Sequence, residues 1–271
     1  ARAGSGGRRA RAGPIVRAGA PPVATRYNSR MAAHPRVTLR YFDARGRAQF
    51  LRYYLRARNV AFTDERVPLS ADFGAWVAIR DDGAKTGPFH KLPMLHWGES
   101  TVAETLVIGA FLHRASGDEA RLSAEDNLRH AMLTSSLHVD VMLPLGTLLW
   151  ADVAYAGVDL PALTTRTLER LHEHFERLDA TLADWQWLAG AKTRPVMLAD
   201  CLLWEELAVA GHVFGTRLKL EQYGTLSQFY RECPGRTVFE KLLADHPCQI
   251  SGRPGEALAV ANLHKILAAS A

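Results

Sequence analysis

At 271 residues the chain can hold one large or two small domains with real cores, and 48% hydrophobic with 23% charged residues is an ordinary globular balance. No uninterrupted apolar run approaches the ~20 residues of a membrane span. The net charge of +5 invites a nucleic-acid partner, but seven arginines within residues 1–30 carry it; setting these seven aside from 33 leaves 26 basic residues against 28 acidic ones, and the nucleic-acid class loses its support.

Residues 1–35 are rich in Gly, Ala, Pro and Arg, contain no acid, and are expected to be disordered. Three readings stand for this leader: a mitochondrial transit segment, a nucleic-acid tail, or sequence upstream of a start at Met31-Ala32-Ala33. The third is favoured by the initiator-like methionine just before the first strand. No secretory signal pattern is present.

Residues 37–42 alternate apolar and polar, as a half-buried strand does. A helix is predicted over 47–58, with Phe50, Leu51, Tyr54 and Leu55 on one face and Asn59 as its stop. Residues 61–67 read as a second strand, completing a βαβ unit. The stretch 71–86 is looser, and 81–87 reads as a surface loop. Lys91 to Trp97 forms a short apolar run whose Pro93 belongs at a strand's beginning or edge. An X-Pro bond tolerates the cis form, which would turn the Leu92 backbone outward to pair with an extended peptide. After the turn at Gly98-Glu99-Ser100, Glu104 and Thr105 precede the apolar run Leu106–Leu112. A helix starting there offers free amides to a carboxylate, and Glu104 offers a charge to an ammonium. Together these features suit a zwitterionic peptide, of which glutathione is the obvious small one.

Beyond a polar linker, helical patterns dominate: 124–150 with a bend at Pro144, 163–182, the nearly continuous apolar run 199–213, then 226–231, 237–245 and 256–269. The partition is a leader (1–35), an α/β domain (36–113), a linker (114–125), an all-helical domain (126–248) and a tail (249–271). Cys201, Cys233 and Cys248 have no metal or disulfide spacing and suit a reducing compartment. A redoxin would carry Cys-x-x-Cys where this chain has Tyr41-Phe42-Asp43-Ala44. His172 and His174, two apart, do not share a helix face, so no metal site is expected.

The opening strand Val37–Phe42, followed by Asp43-Ala44-Arg45-Gly46-Arg47-Ala48, together with Pro88-Phe89-His90-Lys91-Leu92-Pro93 and Glu104-Thr105, resembles the cytosolic glutathione transferases, most closely their sigma-like, tyrosine-type members. The resemblance runs from about Arg36 to Cys248. It implies a thioredoxin-like α/β N-terminal domain followed by an all-α helical C-terminal domain. It also implies a homodimer, no cofactor beyond glutathione as co-substrate, a cytoplasmic location and a role in detoxification. By the same resemblance Tyr41 would stabilise the glutathione thiolate with Arg47 in support. Trp76, Arg80 and Lys91 would hold the glycine end, Leu92 and Pro93 the cysteinyl backbone, and Glu104 and Thr105 the γ-glutamyl end. Phe42, Met132 and Trp150 are the expected wall for a hydrophobic electrophile or lipid. Asp140 and His138 are placed near an intersubunit cleft. Asp200 matches the family's acid at the start of a helix, with Met197 where a capping Ser or Thr is usual. Three outcomes stay open: conjugation of an electrophile, glutathione-dependent isomerisation of a prostaglandin-type lipid, and a transferase fold kept for interaction or structure after loss of catalysis.

Overall fold

The computed structural model describes residues 35–189, 194–247 and 249–269. The leader expectations, save for Pro35, and the Cys248 expectation lie outside the described residues. Residues from Pro35 onward form one compact unit.

Its first part is a four-stranded sheet in the order β2–β1–β3–β4. Strand β1 (Val37–Phe42) lies parallel to β2 (Thr63–Val67) and antiparallel to β3 (Met94–Trp97), which pairs with β4 (Ser100–Ala103). The predicted alternation holds, because Val37, Leu39 and Tyr41 are buried while their neighbours are only partly so. Helix α1 (Gln49–Ala57) follows a single 3-10 turn and buries Phe50, Leu51, Tyr53, Tyr54 and Leu55. Asn59, at φ +54°, ends it in the left-handed conformation that asparagine tolerates. Arg52 on α1 is fully buried, yet its fork is satisfied by Asp64 at 3.0 Å and by the Ala44 and Phe42 carbonyls at 2.7 and 3.2 Å. It therefore pins the β1–α1 loop from beneath.

Within the stretch expected to be a surface loop at 81–87, residues 83–86 form one helical turn and 81–85 are exposed. Helices α2 (Gly74–Val77) and α3 (Gly83–Thr86) are single turns, and Asp82 caps the second by accepting the Ala84 N–H at 3.0 Å. Thr86 is buried with its hydroxyl on the Arg80 and Asp82 carbonyls, which is why the turn holds. After β4, α4 (Thr105–Ala115) closes the α/β part. The 114–125 segment contains a further turn, α5 (Asp118–Arg121), whose Asp118 is buried and takes the Tyr54 hydroxyl and the Arg58 guanidinium.

Helix α6 (Ala124–Ser136) runs through a widened π-type stretch (Leu137–Met142) into α7 (Leu143–Ala154). Pro144 lacks the N–H that would bond the turn behind it, and just before it the Leu143 N–H reaches back to His138. By length and hydropathy this continuous run could cross a bilayer, in contrast to the expectation of no span. Here Leu133, Leu137, Val141, Leu145, Leu148 and Leu149 are buried in the helical core. Helices α8 (Leu160–Asp184) and α9 (Leu198–Phe214) follow, and α9 is buried along nearly its whole length, packed on α1, α6 and α12 (Glu256–Ala269). Its first turn is fixed by Asp200, which accepts the Met197 N–H at 2.9 Å and pairs with Arg194. Helices α10 (Gly224–Glu232) and α11 (Arg236–Asp245) complete the core.

Candidate active site

The end of β1 delivers Tyr41 to a cleft between the sheet and helices α7 and α9. The cleft holds about 280 Å³ and is lined by Tyr41, Arg47, Met142, Trp150, Glu206 and Ile250 among others. The Tyr41 hydroxyl accepts the Arg47 N–H at 3.1 Å, so its own hydrogen is free to donate. Burial pushes its pKa up, against the opposing Arg47 backbone bond and the Arg47 and Arg52 charges, so the phenol stays protonated at neutral pH. Gly46 makes this placement feasible. Its φ is +37°, and a Cβ there would stand 2.6 Å from the Tyr41 hydroxyl oxygen.

An adjoining groove continues outward along Tyr41, Phe42, Phe73, Trp76, Arg80 and Trp150. Phe42 and Trp76 meet edge to face with centroids 5.3 Å apart. Trp76 and Arg80 keep helical spacing, the Arg80 N–H bonding the Trp76 carbonyl at 2.9 Å. His90, at φ +50°, places Nδ1 2.9 Å from the Arg80 carbonyl, so it steadies the segment that carries Arg80.

Lys91 is exposed, Leu92 and Pro93 are buried just before β3, and the Leu92–Pro93 peptide is cis. Glu104 occupies the N-cap of α4 at φ +70° and ψ 126°, a strained conformation for a side-chain-bearing residue. Thr105 beside it is buried. These five do not line the Tyr41 cleft itself. His138 on the π-type stretch feels the charges of both Arg47 and Glu104: its pKa is lowered by burial and then by Arg47, with Glu104 opposing. Met132 does not join the electrophile wall. It lies half exposed in a separate groove with Ser136, Asp140 and His174, because its face of α6 turns toward α8 rather than toward the sheet. Met142, ten residues further on at the end of the π-type stretch, takes the place expected of Met132.

Two groups of site residues went unnoticed in the sequence. The first is Glu205-Glu206 on α9; two carboxylates inside so apolar a helix are the signal that could have found them. The second is the tail. Arg45 and Gly46 donate N–H bonds to the Gln249 and Ile250 carbonyls at 2.9 and 2.7 Å, so Ile250 and Ser251 wall the cleft. Glu256 collects the Ile250, Ser251 and Gly252 N–H groups at 2.7, 2.6 and 3.2 Å. The buried Arg253 bonds the Leu149 carbonyl at 2.7 Å and pairs with Asp152. His172 and His174 engage different partners: His172 the Tyr223 hydroxyl at 2.6 Å, His174 the neighbourhood of Asp140 at 3.9 Å.

No protein-family model matches the chain. It is 28% identical to hematopoietic prostaglandin D synthase of Gallus gallus over 156 residues, 58% of this chain and 71% of that one. It is 34% identical to S-crystallin SL20-1 of Nototodarus sloanii over 84 residues, 31% of this chain and 34% of the other. A monomeric glutathione S-transferase of Necator americanus superposes with a TM-score of 0.63 at 18% identity, covering 78% of this chain and 98% of that structure. A mixed four-stranded sheet joined to an all-helical part is the glutathione transferase fold, and this chain has it. The resemblance read from the Tyr41 and Pro93 motifs is thereby borne out at the level of fold and relatives.

Proposed function

We propose that the protein activates glutathione for attack on a hydrophobic electrophile, with Tyr41 as the group that stabilises the thiolate. The observation that carries this reading is the Tyr41 hydroxyl, protonated, facing the cleft and already accepting the Arg47 N–H. Its free hydrogen can bond a sulfur anion, and hydrogen bonding to the charged form lowers the thiol pKa. The exposed Arg47 adds positive charge beside it. In this reading Glu104 and Thr105 at the start of α4 take the γ-glutamyl end, and Leu92 with Pro93 pairs the cysteinyl backbone. Trp76, Arg80 and Lys91 take the glycine carboxylate. Phe42, Met142, Trp150 and Ile250 receive the apolar electrophile.

A second reading is glutathione-dependent isomerisation of a lipid, favoured by the match to hematopoietic prostaglandin D synthase. The chemistry differs only after thiolate attack, in whether sulfur stays on the product. Product analysis with an endoperoxide lipid separates the two.

The test follows ultraviolet thiolate absorbance against pH with glutathione bound to the wild type and to Tyr41→Phe. Thiolate is expected below neutral pH in the wild type and near the free-thiol value of ~8.5 in the variant. Binding with no shift between the two would remove Tyr41 from the mechanism and favour a non-catalytic transferase fold.

A further inference from the structure

The two adjacent carboxyl groups on α9 have opposite surroundings. Glu205 is held by Arg45 at 2.9 and 2.8 Å and by the Tyr53 hydroxyl at 3.0 Å. Glu206 is 3% exposed, lines the Tyr41 cleft, and has no hydrogen-bond partner among the described residues. The cleft it lines is apolar along Met142, Leu145, Leu149, Val209 and Ile250, and polar along Tyr41, Arg47, Thr147, Tyr155 and Ser251. A carboxylate left without a partner in such a setting is too costly to keep, and the group holds its proton instead.

We propose that Glu206 is a proton donor to the bound electrophile, a role that an α,β-unsaturated carbonyl compound reads out because its addition step needs such a donor. The inference rests on the glutathione-activating reading above. When the thiolate adds to the β-carbon of such a compound, a carbon–sulfur bond forms and the carbon–carbon π pair moves onto the carbonyl oxygen as an enolate. Glu206 gives its proton to that enolate, and the resulting carboxylate is reprotonated from water. The thiol's own proton has already gone to solvent, so each cycle consumes one glutathione and one substrate and releases neither acid nor base. An aryl halide does not need this donor, because chloride leaves as an anion.

Burial drives the Glu206 pKa well above the usual carboxylate range, the neighbouring Glu205 charge raises it further, and Arg45 opposes. Tyr41 from β1, Arg47 from the following loop and Tyr155 at the end of α7 are the other titratable or charged groups lining the cleft. Two protonated groups would thus flank one cavity with distinct tasks: the phenol for sulfur, the carboxylic acid for oxygen. Environments that separate neighbouring acids in this way are how one site runs two kinds of proton chemistry.

The experiment measures kcat/KM with glutathione for non-2-enal and for 1-chloro-2,4-dinitrobenzene, in the full-length wild type and in Glu206→Gln. A general acid contributes about 100-fold or more, so the ratio of enal to aryl-halide activity is expected to fall about 100-fold in the variant. An unchanged ratio, whether both activities fall together or neither does, overturns the proton donor alone. A wild type inactive on the aryl halide overturns the glutathione-activating reading and the donor with it. The wild-type protein supplies a measurement that needs no variant: with carbon-13-labelled glutamate, the infrared spectrum at neutral pH should show a protonated glutamic acid. Its absence overturns the proposal even if Glu206→Gln fails to fold.

Discussion

Arg45 reaches from the β1–α1 loop to Glu205 on α9, its Nε and Nη2 lying 2.9 and 2.8 Å from the two carboxylate oxygens. The pair joins the α/β part of the molecule to the central helix of the helical part. Glu205 is 1% exposed, so removing the guanidinium strands a buried charge. Arg45→Ala is expected to cost about 3–5 kcal/mol in urea unfolding. The double variant Arg45→Met with Glu205→Leu is expected to recover most of that loss, because an apolar pair of similar volume carries no desolvation cost. A double variant as unstable as Arg45→Ala would show that the bridge is worth more than its desolvation.

Gly46→Ala tests the placement of Tyr41 without touching its chemistry. The new methyl would meet the phenol oxygen at 2.6 Å, at a backbone angle that side chains rarely adopt. The hydroxyl must move, and a misplacement of about 1 Å is enough to cost on the order of 100-fold in rate. The expected outcome is a folded protein, by far-ultraviolet circular dichroism, with thiolate absorbance lost much as in Tyr41→Phe.

His130 makes stability depend on pH. Both ring nitrogens are buried without partners, and the ring stands edge-on to His113 with centroids 4.2 Å apart. Burial, then the His113 charge, lowers its pKa to about 4. The unfolded chain has the ordinary value of about 6.5 and therefore binds more protons through this interval. The stabilisation is full above about pH 6.5 and is lost as pH falls toward about 4, on the order of 3 kcal/mol in all. Urea midpoints measured across that range should fall with pH in the wild type and flatten in His130→Leu.

Arg253→Ala addresses the tail. Its guanidinium ties residues 250–253 to Asp152 and to the Leu149 carbonyl, both on α7. With the tie gone, Ile250 and Ser251 keep only Glu256 and the Arg45 and Gly46 N–H groups to hold them over the cleft, while the start of α4 and the β3 edge are untouched. KM for an apolar electrophile is expected to rise about tenfold with KM for glutathione little changed, and limited proteolysis should cut within 249–256. Equal rises in both KM values would place the defect in the whole fold instead.

The strands, the cis proline and the start of α4 were legible because their signals are local: alternation, a proline at a strand's beginning, a polar pair before an apolar run. Helix α9 was legible for the same reason, since the largely apolar run 199–213 admits few alternatives. The 81–87 segment misled because Asp82 reads equally well as a turn residue and as a cap. Met132 misled because the face that α6 presents is set by its docking on α9. The widened turn at 137–142 then shifts the helical phase, and no periodicity extrapolates across it. Arg253 and Glu205 could not be assigned from sequence because their partners lie 101 and 160 residues away.

The β1–α1 loop has one consequence for how the chain comes off the ribosome. Everything in β1, α1 and the cis-proline segment is encoded early, yet the Arg45 and Gly46 amides find their acceptors only at Gln249 and Ile250. A nascent chain could assemble its sheet and still lack the wall beside Tyr41 until the segment that ends in Glu256 emerges. Competence for thiol chemistry would then arrive late and all at once, long after the domain that carries the tyrosine has taken shape.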